Sequence, residues 1–288
     1  MSTTSVLFDA PGPRTRRRHL VYAVISAIVL LGILAWAIWR LYDRGQFTYD
    51  KWEVFITPAY VEVILVDGVL QTLQMAATSI VFAVVLGVVL GVGKLADRGW
   101  IRWPAWAVVE FFRALPVLLM MIFLWYLLGI NREGSNYWAV VLALTLYNGA
   151  VIAEVLRAGV NAVPKGQSEA AYAIGMQKTQ VMNIVLLPQA VKIMLPALIS
   201  QCVVVLKDTA LGYAVTSPGL TRIMKQIYLQ FDNRVPTMIV VAALYIVINL
   251  MLSALATWLQ HRLVGEKSPL EVTRVGNLDG GQNTGGGF

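Results

Sequence analysis

Long apolar runs divide this chain and constrain its fold more than any other feature. A helix of twenty residues extends about 30 Å, the thickness of the hydrocarbon core of a bilayer. About six runs of the chain are long enough to cross it. The sequence therefore predicts an all-α integral membrane protein with about six transmembrane helices. The expected spans are residues 20–39, 69–92 with a start as early as Val61, 104–129, 137–159, 193–215 and 236–259.

The composition excludes several other classes of protein. The chain is 58% hydrophobic and only 14% charged, with a mean hydropathy of +0.67, which is typical of membrane proteins. The net charge of +7 does not indicate nucleic-acid binding, because the basic residues concentrate beside span ends. Cys202 is the only cysteine, so we expect no intrachain disulfide and a packing role. His19 and His261 lie near the predicted membrane interface and give no metal site.

The two ends of the chain are polar. Residues 1–19 finish with four arginines between positions 14 and 18 and predict a basic cytoplasmic N-terminus. The following run is too long for a signal peptide and lacks a small-residue cleavage pattern, so residues 20–42 are expected to be an uncleaved extra transmembrane helix. Residues 261–288 become rich in Gly, Asn and Gln and predict a disordered cytoplasmic tail.

The distribution of charge predicts the topology. The N-terminal arginines, residues 94–102, Lys165, Lys178 and the C-terminal tail fall on one side of the predicted spans. Positive charge favours the cytoplasmic side, so we expect a multi-pass protein of the bacterial plasma membrane with both termini inside. Residues 219–231 carry apolar side chains at helical spacing. They predict an amphipathic helix that lies at the outer membrane surface, packs on the spans, or does both.

A pair of glycines in the second run predicts a close helix crossing. Gly87 and Gly91 are four residues apart, so they share one face of a helix. Small residues at this spacing allow another helix to approach closely.

A polar segment, residues 161–188, separates the fourth and fifth runs. Its alanines favour a short helix, for which Ser168 is a candidate N-cap. Gly175 can adopt the left-handed conformation that ends a helix, and Thr179 is a candidate cap for a second short helix that Pro188 ends or hands on to the next run. A short exposed helix of small residues is suited to docking on a partner.

The residues of this segment have a regular spacing. Glu-Ala-Ala is followed after three residues by Gly, and after nine more by Val185, one residue and Leu-Pro. This spacing resembles the EAA loop of bacterial ATP-binding-cassette (ABC) importer permeases, with Val185 here in place of the usual Ile. The resemblance implies a cytoplasmic coupling helix that docks on an ATPase subunit. The residues implied in ATPase coupling are Glu169, Ala170, Ala171, Gly175, Leu187 and Pro188.

Three further segments resemble the polar amino acid (HisMQ-type) branch of that family. They are residues 109–116 (VEFFRALP), 150–163 with AEVLRAG, and 206–211 (LKDTAL). The pattern is most similar to glutamate permeases of actinobacteria. It implies a type I importer permease core at residues 61–260 with the coupling loop at 161–188, and the first span departs from the minimal plan.

The resemblance implies one subunit of an ATP-driven amino acid importer, with glutamate as the expected substrate. It implies two ABC ATPase subunits, a sister or identical permease, an extracellular solute-binding protein and membrane lipid as partners. It implies that ATP and magnesium bind the partner ATPase and, consistent with this, the sequence contains no phosphate-binding Gly-x4-Gly-Lys-Ser/Thr loop. This subunit is therefore not expected to be an enzyme. The alternatives are a permease for glutamine, aspartate, arginine or histidine, an ATP-independent secondary transporter, and a purely structural subunit.

Four ionisable residues inside the spans are candidate ion pairs, because buried charges in lipid are costly and are retained with partners. Glu110 and Arg113 are three residues apart, as are Glu154 and Arg157. Their expected depths favour the hypothesis that Glu154 pairs with Arg113. The alternative is that all four only neutralise buried charge.

Polar residues inside the fourth and fifth spans are candidates for the substrate pathway. They are Asn148, Gln201, Lys207, Asp208 and Thr209. A lysine suits the carboxylate of an amino acid, and carbonyl or carboxylate oxygens suit its ammonium group. Hydrogen bonding between helices is an equally good explanation for any one of them.

Overall fold

The computed structural model describes residues 13–130 and 132–264, and the regular elements of these two ranges are helices. Most of the predicted basic N-terminus and of the predicted disordered tail lies outside the described residues. Twelve α-helices follow in order: α1 Pro13–Asp43, α2 Tyr49–Trp52, α3 Pro58–Val63, α4 Gln71–Leu95, α5 Gly99–Ala114, α6 Val117–Leu128, α7 Ser135–Asn161, α8 Lys165–Ala173, α9 Lys178–Gln180, α10 Leu187–Asp208, α11 Leu220–Phe231 and α12 Arg234–Val264.

Two of the candidate membrane spans consist of more than one helical segment. A π-helical stretch, Ile64–Leu70, joins α3 to α4 and gives a continuous helical span of 38 residues from Pro58 to Leu95. A second π-helical stretch, Val181–Leu186, joins α9 to α10, which a 3-10 stretch extends to Val215. Five helices of the described chain are long and apolar enough to cross a membrane, or six if one bent pair is a single span. This confirms the prediction of about six spans.

The third predicted span is not one straight helix. α5 and α6 meet at an angle of 102°, because Pro116 has no N–H to donate and disfavours a helical conformation at the residue before it. Leu115 is accordingly extended, with φ −82° and ψ 134°. The start expected for this span, residue 104, was also wrong, since α5 begins at Gly99 and Pro104 lies inside it.

α7 is the central helix of the bundle. It packs against α4, α5, α6 and α10, and most of its apolar length is buried. The glycines of α4 make the closest of these crossings: a Cβ on Gly87 would meet Ile152 at 2.5 Å, and one on Gly91 would meet Leu156 at 2.5 Å. The predicted close packing at these glycines is confirmed.

α1 stands apart from this bundle. It is 31 residues long, and the most apolar stretch of its span has no buried residue. In the described chain, α1 therefore leaves its apolar surface available to lipid or to another subunit.

α11 forms the amphipathic helix expected at residues 219–231. Its buried face includes Leu220 and Ile223, which pack with Ile64 of the π-helical stretch and Val241 of α12. The backbone N–H of Leu220 also donates a hydrogen bond to Thr72 Oγ1 at 2.9 Å. The helix is thus packed on the spans, as one of the two interpretations proposed.

Candidate functional site

α8 is a short polar helix at one end of the bundle, in the segment where the sequence predicts the docking loop. It begins after the extended residue Pro164, whose fixed φ suits a helix start. It ends at Ala173, two residues before Gly175, which has φ +85°. The Met176 N–H donates to Ala171 O at 3.2 Å and the Gly175 N–H donates to Tyr172 O at 2.9 Å. The predicted role of Gly175 in ending the helix is confirmed.

The two predicted capping residues are wrong in position. Ser168 lies inside α8, where its hydroxyl donates to Lys165 O at 2.8 Å. Thr179 lies inside α9, which is instead capped by a reciprocal pair of side chains, Gln177 and Gln180. Helix starts were misplaced because Pro164 and Gln177 are less typical caps than Ser or Thr.

The two faces of α8 differ in exposure. Ala171 is buried against the rest of the chain, whereas Glu169 and Ala170 are exposed. Tyr172 and Ile174 are also exposed, Ile174 to 79%, although sequence reasoning did not single them out. The free surface of α8 therefore combines a carboxylate, small residues and two apolar side chains.

Contacts on both sides of α8 attach it to the bundle. Lys178 forms a salt bridge with Asp97 in the α4–α5 connection. Gln189 of α10 donates to Gln167 of α8 at 3.3 Å. The predicted coupling residues Leu187 and Pro188 open α10 directly after the π-helical stretch, so Pro188 hands the chain on to the next span.

Five charged side chains form a cluster where α4, α5 and α7 meet. Lys94 is at its centre, with a side chain only 4% exposed, and its Nζ lies 2.7 Å from Glu154 and 3.3 Å from Glu110. Each acid also pairs with the arginine three residues later: Glu110 with Arg113 at 3.2 Å, and Glu154 with Arg157. The cluster joins three helices through one shared cation.

The hypothesis that Glu154 pairs with Arg113 is wrong, since each arginine pairs with the acid on its own helix. Helical neighbours at i and i+3 lie close enough to pair without help from tertiary structure. Arg113 and Glu154 nevertheless line one cavity of about 360 Å³ together with Tyr147. They face the same space without forming an ion pair.

Sequence reasoning missed the role of Lys94, which was assigned to a loop on the basis of charge. A usable signal was present, because Lys94 follows Gly87 and Gly91 at seven and three residues and so shares their face of α4. That face packs on α7.

Comparison with known proteins identifies the family. Residues 83–265 match the family described as "Binding-protein-dependent transport system inner membrane component". The chain belongs to this family. It is a permease subunit of an ABC transporter, and the predicted all-α type I importer permease fold is confirmed.

Two curated relatives and one solved structure place this permease more closely. It is 40% identical over 227 residues to the glutamate transport system permease protein GluD of Corynebacterium glutamicum, covering 77% of this chain and 83% of the relative. It is 31% identical to the glutamate/aspartate import permease protein GltK of Escherichia coli, covering 69% and 92%. The solved structure of an amino acid ABC transporter with histidines matches with a TM-score of 0.66 at 29% identity, covering 71% of this chain and 96% of the other. These findings confirm the resemblance to polar amino acid permeases.

The candidate pathway residues of this permease fall into two groups. Asn148 of α7 is fully buried and accepts a hydrogen bond at 2.5 Å from Gln201 of α10. The other three lie where α10 ends: Lys207 is exposed, Asp208 is half-buried, and the buried Thr209 hydroxyl donates to Leu206 O at 2.6 Å. The structure brings Asn148 and Gln201 together but makes no such contact between them and Lys207.

Proposed function

We propose that this chain is the permease subunit of an ATP-driven glutamate importer. The observation that supports glutamate as the substrate is the 40% identity to a glutamate permease over 83% of that relative. The similarity to a glutamate/aspartate permease supports an acidic substrate. Another polar amino acid is the alternative, because an arginine transport permease of Bacillus subtilis is also 31% identical.

The free surface of α8 is the proposed docking site for one of two partner ATPase subunits. Glu169 and Ala170 face outward there, and the buried Ala171 supports the helix from beneath. ATP and magnesium would bind in the ATPase, consistent with the absence of a phosphate-binding loop from this sequence. The positive-charge bias supports a cytoplasmic location for α8 and for both termini, at the plasma membrane.

The structure supports a route by which movement of α8 would reach the spans. α8 packs on the π-helical stretch Val181–Leu186, which runs without interruption into α10. The Lys178–Asp97 salt bridge links the same region to the end of α4, three residues from the Lys94 cluster. A displacement of α8 would therefore act on α10 and α4 together.

The remaining partners follow from this role. A sister or identical permease would complete the pathway, and an extracellular solute-binding protein would deliver the amino acid at the end of the bundle opposite α8.

Within the pathway, Lys207 is the exposed cation that we propose attracts the substrate carboxylate. Lys207→Met should lower uptake without reducing insertion into the membrane, whereas Gln201→Leu should also lower stability because it leaves buried Asn148 without its partner. Normal uptake by Lys207→Met would reject the role of this residue.

The test of function is uptake by the complete transporter in proteoliposomes. We expect labelled glutamate to accumulate only when ATP and the binding protein are present. Excess unlabelled glutamate should suppress this accumulation more than excess glutamine, arginine or histidine does. Stronger competition by one of those three would reassign the substrate. Accumulation driven by an ion gradient without ATP would instead indicate a secondary transporter.

A further inference from the structure

A cavity of about 370 Å³ lies between the end of α1 and the start of α12, at the opposite end of the chain's spans from α8. Its wall contains four cations, namely Arg40, Arg44, Lys51 and Arg234. Asp232 is the only acid that lines it. Four positive side chains around one small space repel one another unless an anion lies between them.

Most of this positive charge has no partner within residues 13–130 and 132–264. Arg40 pairs with Asp43 at 3.7 Å. Arg44, Lys51 and Arg234 form no ion pair with any residue that the structure describes. The acids Asp50 and Glu53 are near in sequence but do not line the cavity. The site is therefore electropositive.

Hydrogen bonds hold the walls of the cavity in place. Trp52 Nε1 donates to Gln46 O at 2.9 Å, which fixes the turn that follows α1. The fully buried Asn233 donates to Lys51 O at 3.0 Å, and Lys51 Nζ reaches Asp232 O at 3.5 Å. These bonds tie the end of α1, α2 and the start of α12 around one space.

Part of the cavity wall is apolar. Leu41 and Val235 line it together with the polar Gln46, and one turn further along the two spans Ile38 and Met238 are exposed. Tyr42, which is 73% exposed, is of the residue type that concentrates at the level of lipid headgroups. The cations thus lie next to exposed apolar surfaces that suit acyl chains, and Tyr42 is typical of the level of a membrane interface.

We propose that this cavity binds the phosphate headgroup of an anionic glycerophospholipid, with its acyl chains on the exposed surfaces of α1 and α12. Basic pockets between spans on the cytoplasmic side of membranes bind anionic lipid headgroups, and the same charge complementarity applies here. In the proposed topology these cations face the outside, against the usual bias of positive charge towards the cytoplasm, and a bound lipid phosphate accounts for them. The lipid would also bridge α1, which stands apart from the bundle, to the permease core.

The proposal uses the proposed membrane orientation but not the transported substrate. It is tested on the purified full-length permease assembly, by native mass spectrometry after equilibration with micelles containing phosphatidylglycerol or phosphatidylcholine. The test variant is Arg44→Gln/Arg234→Gln. Lys51 is left intact because its backbone and side chain both help to hold the cavity wall. The control is Arg222→Gln/Lys225→Gln, which removes the same charge from residues that line a different cavity, beside α11.

We expect phosphatidylglycerol to bind in preference to phosphatidylcholine, with binding about fivefold weaker for each cation removed from the cavity. The control variant should retain wild-type binding. Equal losses in both variants, or equal binding of the two lipids, would overturn the proposal. Displacement of the lipid by excess inorganic phosphate would show a general anion site and would also overturn it.

A fourth outcome separates the lipid from an acidic protein partner. If the test variant keeps phosphatidylglycerol but loses association with the solute-binding protein, the cavity belongs to a protein interface and the lipid proposal is wrong. Glutamate uptake is measured on the same preparations. Failure of wild-type uptake would contradict the proposed function without changing the lipid result.

Discussion

Lys94 Nζ lies 2.7 Å from Glu154 Oε2, and this contact joins the last turn of α4 to the second half of α7. The lysine side chain is 4% exposed, so its charge depends on neighbouring acids for compensation. Both acids that it contacts have an arginine of their own. Removal of an acid therefore leaves the buried charge of Lys94 less compensated, whereas removal of Lys94 leaves each acid paired with its own arginine.

This inequality predicts the outcome of a double-mutant cycle. Glu154→Gln should destabilise the permease by about 3 kcal/mol, because it removes the nearer partner of a buried cation. Lys94→Met should cost less, and the double variant should be more stable than Glu154→Gln alone. The measurement is chemical unfolding in detergent. Asp97→Asn, which breaks an exposed pair, is the control and should change stability by less than about 1 kcal/mol. Simple additivity of the two substitutions would show that Lys94 and Glu154 are not coupled.

The glycine face of α4 predicts a second effect on stability. Gly87→Ala places a methyl group 2.5 Å from Ile152 and 3.0 Å from the backbone oxygen of Gly149, so the helices must separate. Overpacking of this kind costs about 1–3 kcal/mol. Gly32→Ala in α1 is the matched control, because no atom of the described residues lies within 4 Å of the added carbon and alanine favours helices. Thermal unfolding of the two variants side by side should show a loss only for Gly87→Ala, and an unchanged midpoint would contradict the close crossing.

Gly175 predicts a local effect on the proposed docking helix. An alanine at φ +85° costs about 1–2 kcal/mol, so Gly175→Ala should loosen the end of α8. Hydrogen exchange of the α8 amides should become faster while that of α7 is unchanged. Gly166→Ala, in the helical part of α8 with open space around it, should slow exchange or leave it unaltered. Equal exchange rates of the α8 amides in the two variants would show that Gly175 does not determine the end of α8.

Local patterns predicted much of the fold and of the candidate site. The apolar runs gave the number of spans, the spacing of Gly87 and Gly91 gave the α4–α7 crossing, and Gly175 gave the end of α8. In each case a few neighbouring residues determine the structure. The family resemblance came from the same kind of short-range pattern.

Features that depend on distant residues were missed. Hydropathy continues through Pro116 and does not register the turn of 102° between α5 and α6. The sequence predicted Lys94 to be a loop residue, because the acids that compensate its buried charge lie on α5 and α7 and are distant in sequence. Helical spacing indicated that each acid could reach the arginine on its own helix, but the partner across the helices required the three-dimensional arrangement.

We propose that α8 receives mechanical work from an ATPase, and site-directed cross-linking can test whether the two are in contact. Cys202 is the only native cysteine, so Cys202→Ser provides a background for Ala170→Cys on α8 and, as a control at the opposite end of the bundle, Gln226→Cys. In membranes that contain the complete transporter, we expect Ala170→Cys to cross-link to the ATPase subunit in a manner that changes with bound ATP, and Gln226→Cys to give no such product. Absence of an ATPase cross-link from Ala170→Cys, or its appearance from Gln226→Cys instead, would show that α8 is not the helix that docks on the ATPase.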